Sequence, residues 1–538
     1  MSPVSERGQR LIATLIDAYA KDHPTRKYAS IPRNNDDLRQ GFQDINYKQL
    51  ANAIDQTAWW LSQHVSPSSS SSKTWAYVGP KDLRYPIMAV AALKCGKPLL
   101  LCSPFATAAA QHHLLRSTEC SVYLYAASLG PLVKSIVSNE PNVQAVGIPD
   151  VEHWLWSEDS QLFPYTKSWA EGQSDPWLII HTSGTTGLPK PIVYTNWMMT
   201  SFDAAELMPD AGEETMNDHF RDKRFYVSLP NLHVKFTGMT AALQWTVFLN
   251  TVLITGPPGA VTSDQIIDIL EQGQADGALL TPAQIDDICQ TARGLEALRR
   301  LEYLYFVGAP LPRSIAKKLL GYCKVQPGMG TTEAGAYFVE IRNDDDWEYY
   351  RFRPSMGADM RQKTDKLYEL VFRRQPELER WQQLFKIYPE LDEYATKDLW
   401  SAHPTTANLW RYEGRSDDFV NLLHGEGLHV TEVEAIIRDH SLVRSAIVGG
   451  ERRPFPFLIL DLKDQAIDSE RRTGAILDEI WPQIEKANEK CFDNVKLRRN
   501  LVIITDAKRP LPRNIKDTVI RQQAIALYLP EIERLYSE

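Results

Sequence analysis

The sequence has few cysteines, no excess of positive charge and no long apolar run. Its 538 residues include 6 cysteines, and no two of them form a Cys-x-x-Cys pair. We therefore expect neither a zinc site nor a disulfide framework. The net charge of -9 argues against a protein that binds nucleic acid by neutralising phosphates. No segment is long and apolar enough to cross a membrane, and the first residues lack the apolar core of a signal peptide. The expectation is a soluble, cytoplasmic protein without a nucleic-acid or membrane partner.

The length predicts more than one folding unit. A chain of 538 residues exceeds what one hydrophobic core supports, and 43% apolar with 24% charged residues is an ordinary globular balance. Strand-like apolar runs alternate with helical patterns, such as Ile285–Arg293, from Trp75 to Val307, which predicts parallel sheets with helical crossovers. The charged residues 204–224, which contain Pro209 and Gly212, predict a loop or an exposed helix. After Gly414 the pattern changes to short strands and helices of a smaller α/β unit. We predict a large unit, residues 1–413, and a small unit, residues 414–538.

A stretch rich in small hydroxylated residues follows the apolar run Trp177-Leu178-Ile179-Ile180. It reads His181-Thr182-Ser183-Gly184-Thr185-Thr186-Gly187-Leu188-Pro189-Lys190. Glycines let several backbone N–H groups point at one anion, hydroxyls add donors, and the lysine adds a positive charge. The spacing differs from the common nucleotide loop, which needs Ser or Thr after its lysine. The pattern predicts a phosphate-binding loop after a buried strand; an ordinary turn between two strands is the alternative.

This stretch resembles the phosphate loop of the adenylate-forming superfamily, which includes acyl-CoA synthetases, luciferases and peptide-synthetase adenylation domains. Two further motifs follow in the family's order, Gly328-Met329-Gly330-Thr331-Thr332-Glu333 and Gly414-Arg415-Ser416-Asp417-Asp418. The resemblance covers nearly the whole chain and is closest to adenylation domains of fungal NRPS-like enzymes of the carboxylic acid reductase type. It implies an α/β fold, with a large N-terminal adenylation core of α/β subdomains and a small, mobile C-terminal α/β domain.

The resemblance also implies that the chain binds ATP and Mg²⁺. Thr332 would bond the α-phosphate, Glu333 would hold Mg²⁺, and Lys190 would serve the departing phosphates. One glutamate suits Mg²⁺, which favours one or two carboxylates together with phosphate oxygens. The other nucleotide-binding residues that the resemblance implies are Thr182, Ser183, Gly184, Thr185, Thr186, Gly187, Gly308, Ala309, Met329, Gly330, Thr331, Asp398 and Arg415.

Four residues towards the C-terminus take family roles by their motifs. Lys516, in Pro510-Leu511-Pro512-Arg513-Asn514-Ile515-Lys516-Asp517, would be the catalytic lysine that bridges the acid carboxylate and the α-phosphate. Asp398 would take the ribose hydroxyls, and Arg415 would approach the ribose or the phosphates. Asp417 would be the hinge about which the small domain rotates. Taken singly, these residues also suit a turn, a charged linker and a solvated lysine.

The predicted acid pocket lacks the acidic residue that amino-acid-activating relatives use to pair with an ammonium group. Pro230-Asn231-Leu232-His233 resembles the family's Phe-His element at the pocket mouth, and a histidine supplies no fixed negative charge. An aryl acid or another acid without an α-amino group is therefore favoured, although His233 also suits a core histidine. The implied pocket residues are His233, Val234, Thr237, Tyr305, Val307, Gly328, Ala336 and Tyr337.

The sequence is compatible with three functions. The first is a ligase that activates a carboxylic acid and passes the acyl group to the phosphopantetheine thiol of a carrier protein. The second is a free acyl-CoA ligase. The third is a non-catalytic nucleotide or acyl sensor, which departures from the family motifs at Met329, Lys397 and Ile515 leave possible. The sequence ends at Glu538 without a carrier signature or a reductase fingerprint, so we expect an excised domain of a longer chain or a stand-alone relative.

Overall fold

The structure, a computed structural model, describes most of the chain. The described residues are 6–65, 74–182, 188–209, 212, 214–229, 238–308, 310–341, 344–364, 366–416, 419–423, 427–463, 473–489, 491, 493–506, 508–513 and 519–537. The chain forms two compact units, which we call the large unit and the small unit. The large unit contains Met1–Asp359, Phe372–Tyr394 and Ala402–Arg411, and the small unit contains Met360–Val371, Ala395–Ser401 and Tyr412–Glu538. The boundary predicted between residues 413 and 414 stays a prediction.

Strands and helices alternate through the large unit. Its first strands are β1 (Lys27–Pro32), β2 (Phe42–Asn46), β3 (Thr74–Val78), β4 (Leu99–Leu101), β5 (Cys120–Ala126), β6 (Gln144–Ile148), β7 (Pro176–Thr182), β8 (Lys190–Thr195), β9 (Arg224–Val227), β10 (Val252–Ile254), β11 (Gly277–Leu280), β12 (Tyr303–Phe306) and β13 (Lys324–Pro327). Shorter strands follow at β14 (Gly330–Thr331), β15 (Gly335–Ala336), β16 (Val339–Glu340) and β17 (Tyr349–Phe352).

The helices of the large unit alternate along the chain with its strands. They are α1 (Ile12–Asp22), α2 (Tyr47–His64), α3 (Arg84–Lys94), α4 (Ala108–Ser117), α5 (Gly130–Val137), α6 (Val151–Leu155), α7 (Trp169–Gly172), α8 (Ser201–Ala205), α9 (Met216–Phe220), α10 (Thr246–Leu249), α11 (Ser263–Gln272), α12 (Pro282–Ile288), α13 (Ala292–Arg299), α14 (Arg313–Ala316) and α15 (Leu384–Ile387). A π-helical turn, Thr240–Trp245, leads directly into α10. No helix among the described residues is long and apolar enough to span a membrane.

Two mainly parallel sheets organise the large unit. One has six strands in the order β6-β5-β3-β4-β7-β8, and the other has seven in the order β13-β12-β11-β9-β10-β1-β2. Only the end pairs, β7 with β8 and β1 with β2, are antiparallel within these two sheets. Strands covered on both faces read as continuous apolar runs, and β3 and β11 are buried along their whole length. The predicted parallel α/β architecture is therefore confirmed.

Local sequence signals account for many element boundaries. Asn46 ends β2 and caps α2, because its side chain accepts a hydrogen bond from the Gln49 N–H while the Gln49 side chain accepts one from the Asn46 N–H. The helix predicted over 285–293 is instead two helices, α12 and α13. The break follows from Thr291, whose hydroxyl accepts a hydrogen bond from the Gly294 N–H and starts a new helix.

The charged stretch 204–224 was predicted to be a loop or an exposed helix, and this prediction is wrong for α9. Met216, His219 and Phe220 are buried on one side of this short helix. The spacing i, i+3, i+4 is the signature of an apolar helix face, but it spans a single turn between charged neighbours. Phe220 stacks on Trp245 with ring centres 3.8 Å apart, so tertiary packing buries the helix.

The small unit has its own sheet and core. Its strands include β22 (Phe419–Asn421), β23 (Gly427–His429), β24 (Val443–Gly449), β25 (Phe457–Leu462) and β26 (Val502–Ile504), and its helices are α16 (Val430–Arg438), α17 (Thr473–Asn488), α18 (Arg521–Leu527) and α19 (Leu529–Leu535). Strand β25 lies between β24 and β26. The chain passes between the units within β18 (Ala358–Gln362), β19 (Tyr368–Arg373), β20 (Glu393–Ala402) and β21 (Trp410–Arg415). All six cysteines are free thiols.

Candidate active site

The predicted phosphate loop begins where β7 ends. Trp177, Leu178, Ile179 and Ile180 are buried as predicted, and β7 pairs with β8 so that Thr182 lies opposite Lys190. Ser183, Gly184, Thr185, Thr186 and Gly187 lie outside the described residues, and their phosphate role stays a prediction. Burial lowers the pKa of His181 to about 4. This imidazole is therefore neutral near pH 7, and Lys190 supplies the positive charge at this strand end.

Thr332 and Glu333 lie in the turn of a tight hairpin. Strands β14 and β15 pair through Gly330 with Ala336 and through Thr331 with Gly335. The Thr331 hydroxyl accepts a hydrogen bond from the Ala334 N–H, which closes the turn. A Cβ atom at Gly330 would overlap the carbonyl oxygen of Gly335, so this position requires glycine. The hairpin presents Thr332 and Glu333 as neighbours in one turn.

Tyr194 links this hairpin to the strand that carries Lys190. Its hydroxyl donates a hydrogen bond of 2.7 Å to the carbonyl oxygen of Thr332. Burial and then the negative charge of Glu333 raise the pKa of Tyr194. Lys190, Ile192 and Tyr194 alternate along β8 and share one face of the strand. Tyr194 is not among the site residues predicted from the sequence, although its position two and four residues after Ile192 and Lys190 on one strand was a usable signal.

Other predicted site residues lie at the carboxyl ends of neighbouring parallel strands, at one edge of the seven-stranded sheet. Leu280 pairs with Phe306, and Phe306 pairs with Pro327, so Val307, Gly308 and Gly328 follow strands that end in register. Gly308 has φ of 95°, a conformation that favours glycine. Ligands of α/β proteins commonly bind at this edge of the sheet. Ala309 lies outside the described residues.

Asp398 and Arg415, both in the small unit, are brought together by the fold. The Arg415 guanidinium lies 3.4 Å from the Asp398 carboxylate and donates to the Thr396 carbonyl oxygen, also at 3.4 Å. The side chain of Thr396 accepts a hydrogen bond from the Asp398 N–H at 3.1 Å. Lys397 has φ of 65°, in the left-handed region that favours glycine. A glycine would adopt this backbone conformation without cost, whereas a lysine adopts it with some strain.

Tyr305, predicted as a pocket wall, is buried against aromatic side chains of the large unit. Its hydroxyl lies 2.8 Å from Nδ1 of His219, and its ring centre lies 5.1 Å from that of Phe220. His219 stacks on Tyr303 at 4.0 Å, and its Nε2 lies 3.4 Å from the Glu214 carboxylate. Burial lowers the pKa of His219 to about 4, against the attraction of Glu214. The Glu214 carboxylate beside Nε2 favours the tautomer with its hydrogen on Nε2, so Nδ1 of the neutral imidazole accepts the phenolic hydrogen of Tyr305.

Ala336 and Tyr337 are also buried, and the Tyr337 ring packs against Phe352 and Phe372 with centres 6.0 and 5.4 Å away. The pocket predictions for His233, Val234 and Thr237 fall outside the described residues. Lys81, which follows β3 of the six-stranded sheet, donates hydrogen bonds of 2.8 and 2.7 Å to the carbonyl oxygens of Val227 and Ser228 at the end of β9. Burial lowers the pKa of Lys81 to about 7.

The profile of AMP-binding enzymes matches residues 17–365, and the profile of the AMP-binding enzyme C-terminal domain matches residues 417–538. The first match alone covers more than half of the chain. The chain belongs to the AMP-binding enzyme family. Its fold and class are therefore those of an adenylate-forming enzyme, as the motif order in the sequence implied.

Two curated fungal proteins are similar to this AMP-binding enzyme over nearly its whole length. It is 30% identical over 536 residues to the isocyanide synthase-NRPS hybrid crmA of Aspergillus fumigatus, covering 98% of this chain and 34% of that protein. It is 29% identical over 550 residues to the carboxylic acid reductase of Neurospora crassa, covering 99% of this chain and 51% of that protein. The chain thus spans about a third to a half of these relatives.

A solved structure with the same fold is that of the anthranilate CoA ligase AuaEII in complex with anthranoyl-AMP. The TM-score is 0.69, with 15% identity over 96% of this chain and 97% of that chain. At this identity the likeness establishes the fold alone.

Glu333 of this AMP-binding enzyme suits a Mg²⁺ ion that is held mainly by phosphate oxygens and water. The carboxylate is partly exposed, and its negative charge adds to the burial that raises the pKa of Tyr194. No group of three or more metal-ligating side chains occurs in the described part of the chain. A site with one carboxylate fits Mg²⁺, which usually keeps several waters and is held by one or two carboxylates plus substrate phosphates.

The predicted catalytic lysine, Lys516, and the predicted hinge, Asp417, lie outside the described residues. The residues that flank Lys516 are anchored within the small unit. Arg513 donates hydrogen bonds of 2.6 Å to the Ser445 hydroxyl and to the Asp461 carboxylate. Arg521 makes a bidentate pair with Glu434 at 2.6 and 2.7 Å. The roles of Lys516 and Asp417 stay predictions.

Proposed function

We propose that this AMP-binding enzyme activates a carboxylic acid without an α-amino group, such as an aryl acid, as its acyl-adenylate. We further propose that it passes the acyl group to the phosphopantetheine thiol of a carrier protein. The observation that carries the first step is the Tyr194 hydrogen bond, which ties the Thr332–Glu333 hairpin to the Lys190 strand. The carrier step has its support in the fungal relatives, of which this chain spans only a part.

In the first step the acid carboxylate attacks the α-phosphorus of ATP. A bond forms between the carboxylate oxygen and phosphorus, the bond to the bridging oxygen breaks, and pyrophosphate leaves with that electron pair. Both reactants are anions, so the chain's own groups must hold them in line and neutralise charge. Thr332 binds the α-phosphate and Lys190 the departing phosphates. A Mg²⁺ ion on Glu333 would supply further charge neutralisation there.

Lys516 neutralises the attacking carboxylate and the α-phosphate in this proposal. Asp398 binds the ribose hydroxyls, and Arg415, which lies beside it, approaches the ribose or the phosphates. His233 supplies no fixed negative charge for a substrate ammonium group, which favours acids without one. In this proposal the acid pocket, with small residues beside Tyr305 and Tyr337, accommodates a flat ring.

ATP–pyrophosphate exchange with a panel of benzoic, cinnamic, indole, α-keto, betaine and amino acids tests the adenylation step. Exchange confined to one class of non-amino acids is the expected result. Exchange with amino acids alone would refute the acid class, and ATP binding without any exchange would refute catalysis in favour of a sensor. Lys516→Ala should lower the exchange rate roughly 10²–10³-fold while the fold survives. Normal turnover of that variant would remove Lys516 from the mechanism.

The carrier step needs a separate measurement. Acyl transfer to a phosphopantetheinylated carrier domain should be detected by mass spectrometry as acyl loading of its thiol. Free coenzyme A, supplied at the same concentration, serves as the competing acceptor. Faster acyl transfer to coenzyme A than to any carrier would identify a free acyl-CoA ligase.

A further inference from the structure

Tyr388 holds the side chain of Lys190. The Lys190 Nζ donates a hydrogen bond of 3.2 Å to the Tyr388 hydroxyl oxygen and lies 4.8 Å from the centre of the tyrosine ring. Both residues belong to the large unit. A neutral phenol orients the ammonium group without cancelling its charge, and no carboxylate in the described ranges forms an ion pair with Lys190. The positive charge at the start of β8 is therefore held in place and stays available to an anion.

Tyr388 itself is fixed from several sides. It follows helix α15 directly, and its N–H donates to the Leu384 carbonyl oxygen at 3.1 Å. The Arg374 guanidinium donates to the carbonyl oxygens of Tyr388 and Pro389 at 3.1 and 2.8 Å. The Tyr388 ring stacks on that of Tyr394, with centres 5.9 Å apart and planes 8° apart. A side chain held in this way loses little further freedom when it binds a ligand.

The hydroxyl hydrogen of Tyr388 can still donate a hydrogen bond to a ligand. Its oxygen accepts from Lys190, while its hydrogen has no acceptor within the part of the chain that the structure describes. Lys190 has three N–H donors, of which one points to Tyr388. Two adjacent groups thus offer several donors around one positive charge. Such a pair suits an anion with several oxygens, as in a polyphosphate.

We propose that Tyr388 and Lys190 together bind the β- and γ-phosphates of ATP. Tyr388 donates its phenolic hydrogen to a phosphate oxygen and holds Lys190 beside it. The same pair binds the pyrophosphate that leaves when the acyl-adenylate forms. This inference rests on the proposed function, because it takes Lys190 as the lysine that serves the departing phosphates.

Equilibrium binding of ATP, pyrophosphate and AMP to the whole chain tests the pair. Tyr388→Phe keeps the ring and removes the hydroxyl. We expect it to weaken ATP and pyrophosphate binding by about tenfold or more, the effect of losing one hydrogen bond to a charged group. AMP lacks the β- and γ-phosphates, so its affinity should not change. In pyrophosphate exchange, KM for ATP should rise while KM for the acid stays constant.

Tyr322→Phe is the matched control. Tyr322 is an exposed tyrosine of the large unit whose ring lies 4.0 Å from the Arg299 guanidinium, and it belongs to no predicted site. This variant should bind ATP and AMP as the parent does. Tyr388→Leu, which also removes the ring beside Lys190, should weaken ATP binding more than Tyr388→Phe.

Three results would overturn the inference while leaving the proposed function intact. They are unchanged ATP affinity in Tyr388→Phe, equal weakening of ATP and AMP, and strictly additive losses when Tyr388→Phe is combined with Lys190→Met. Additive losses would mean that the two side chains act independently. A parent protein that binds neither ATP nor AMP would instead overturn the proposed function, and the inference with it.

Discussion

Mild acid should destabilise the large unit through His219. This imidazole is fully buried between Tyr303 and Tyr305, and burial lowers its pKa from 6.5 to about 4. In the unfolded chain the same group titrates near 6.5. Between these two values the unfolded state binds a proton that the folded state does not, so stability falls as the pH falls. The stabilising contribution is complete above pH 6.5 and is lost progressively towards pH 4.

The magnitude follows from the two pKa values. A difference of about 2.5 pKa units corresponds to about 3 kcal/mol of unfolding free energy at the acid end of the window. Between pH 6.5 and 5 the free energy of unfolding should fall by about 2 kcal/mol. His181, whose pKa burial also lowers to about 4, contributes in the same window. The contribution of His219 must therefore be obtained by comparing the parent with a variant that lacks this imidazole.

Urea unfolding at several pH values, followed by tryptophan fluorescence, makes this measurement. His219→Gln removes the titrating group and keeps a polar side chain beside Tyr305. The variant should have a lower free energy of unfolding than the parent at pH 7. The difference between the two free energies should narrow by about 2 kcal/mol by pH 5, because only the parent loses stability through this group. His153→Gln, at an exposed position on α6, should show no pH-dependent gap. A gap for His219→Gln that stays constant from pH 7 to 5 would refute the reasoning.

Three further variants test the nucleotide site. Tyr194→Phe should cost about 1–2 kcal/mol in thermal unfolding and raise KM for ATP, because it leaves the buried Thr332 carbonyl oxygen without its donor; unchanged values would count against the link between β8 and the hairpin. Gly330→Ala should abolish pyrophosphate exchange, because the added Cβ displaces the hairpin. Gly259→Ala is the control, since a Cβ there meets open space and exchange should continue. Equal activity of the two variants would contradict the steric overlap between a Cβ at residue 330 and the Gly335 carbonyl oxygen. Asp398→Asn should weaken ATP binding roughly tenfold but leave 2′,3′-dideoxy-ATP unaffected, since that ligand lacks the ribose hydroxyls; equal weakening of both would argue against ribose binding.

The order and type of most elements could be predicted from the sequence because the signals are local. An apolar run between polar segments indicates β7, and the Asn46–Gln49 pair marks the start of α2. The helix break at Thr291 was missed because its capping signal, a threonine three residues before a glycine, is weaker than the apolar pattern that continues past it.

The contacts that build the candidate site depend on residues far apart in the chain. The Tyr194–Thr332 hydrogen bond spans 138 positions and the His219–Tyr305 bond spans 86. Charged neighbours of α9 suggested exposure, whereas Phe220 and His219 are buried because Trp245 and Tyr303 pack on them. The sequence by itself therefore determined the motifs, their order and the family. Only the tertiary structure decided which side chains orient them, since long-range packing leaves no short-range pattern.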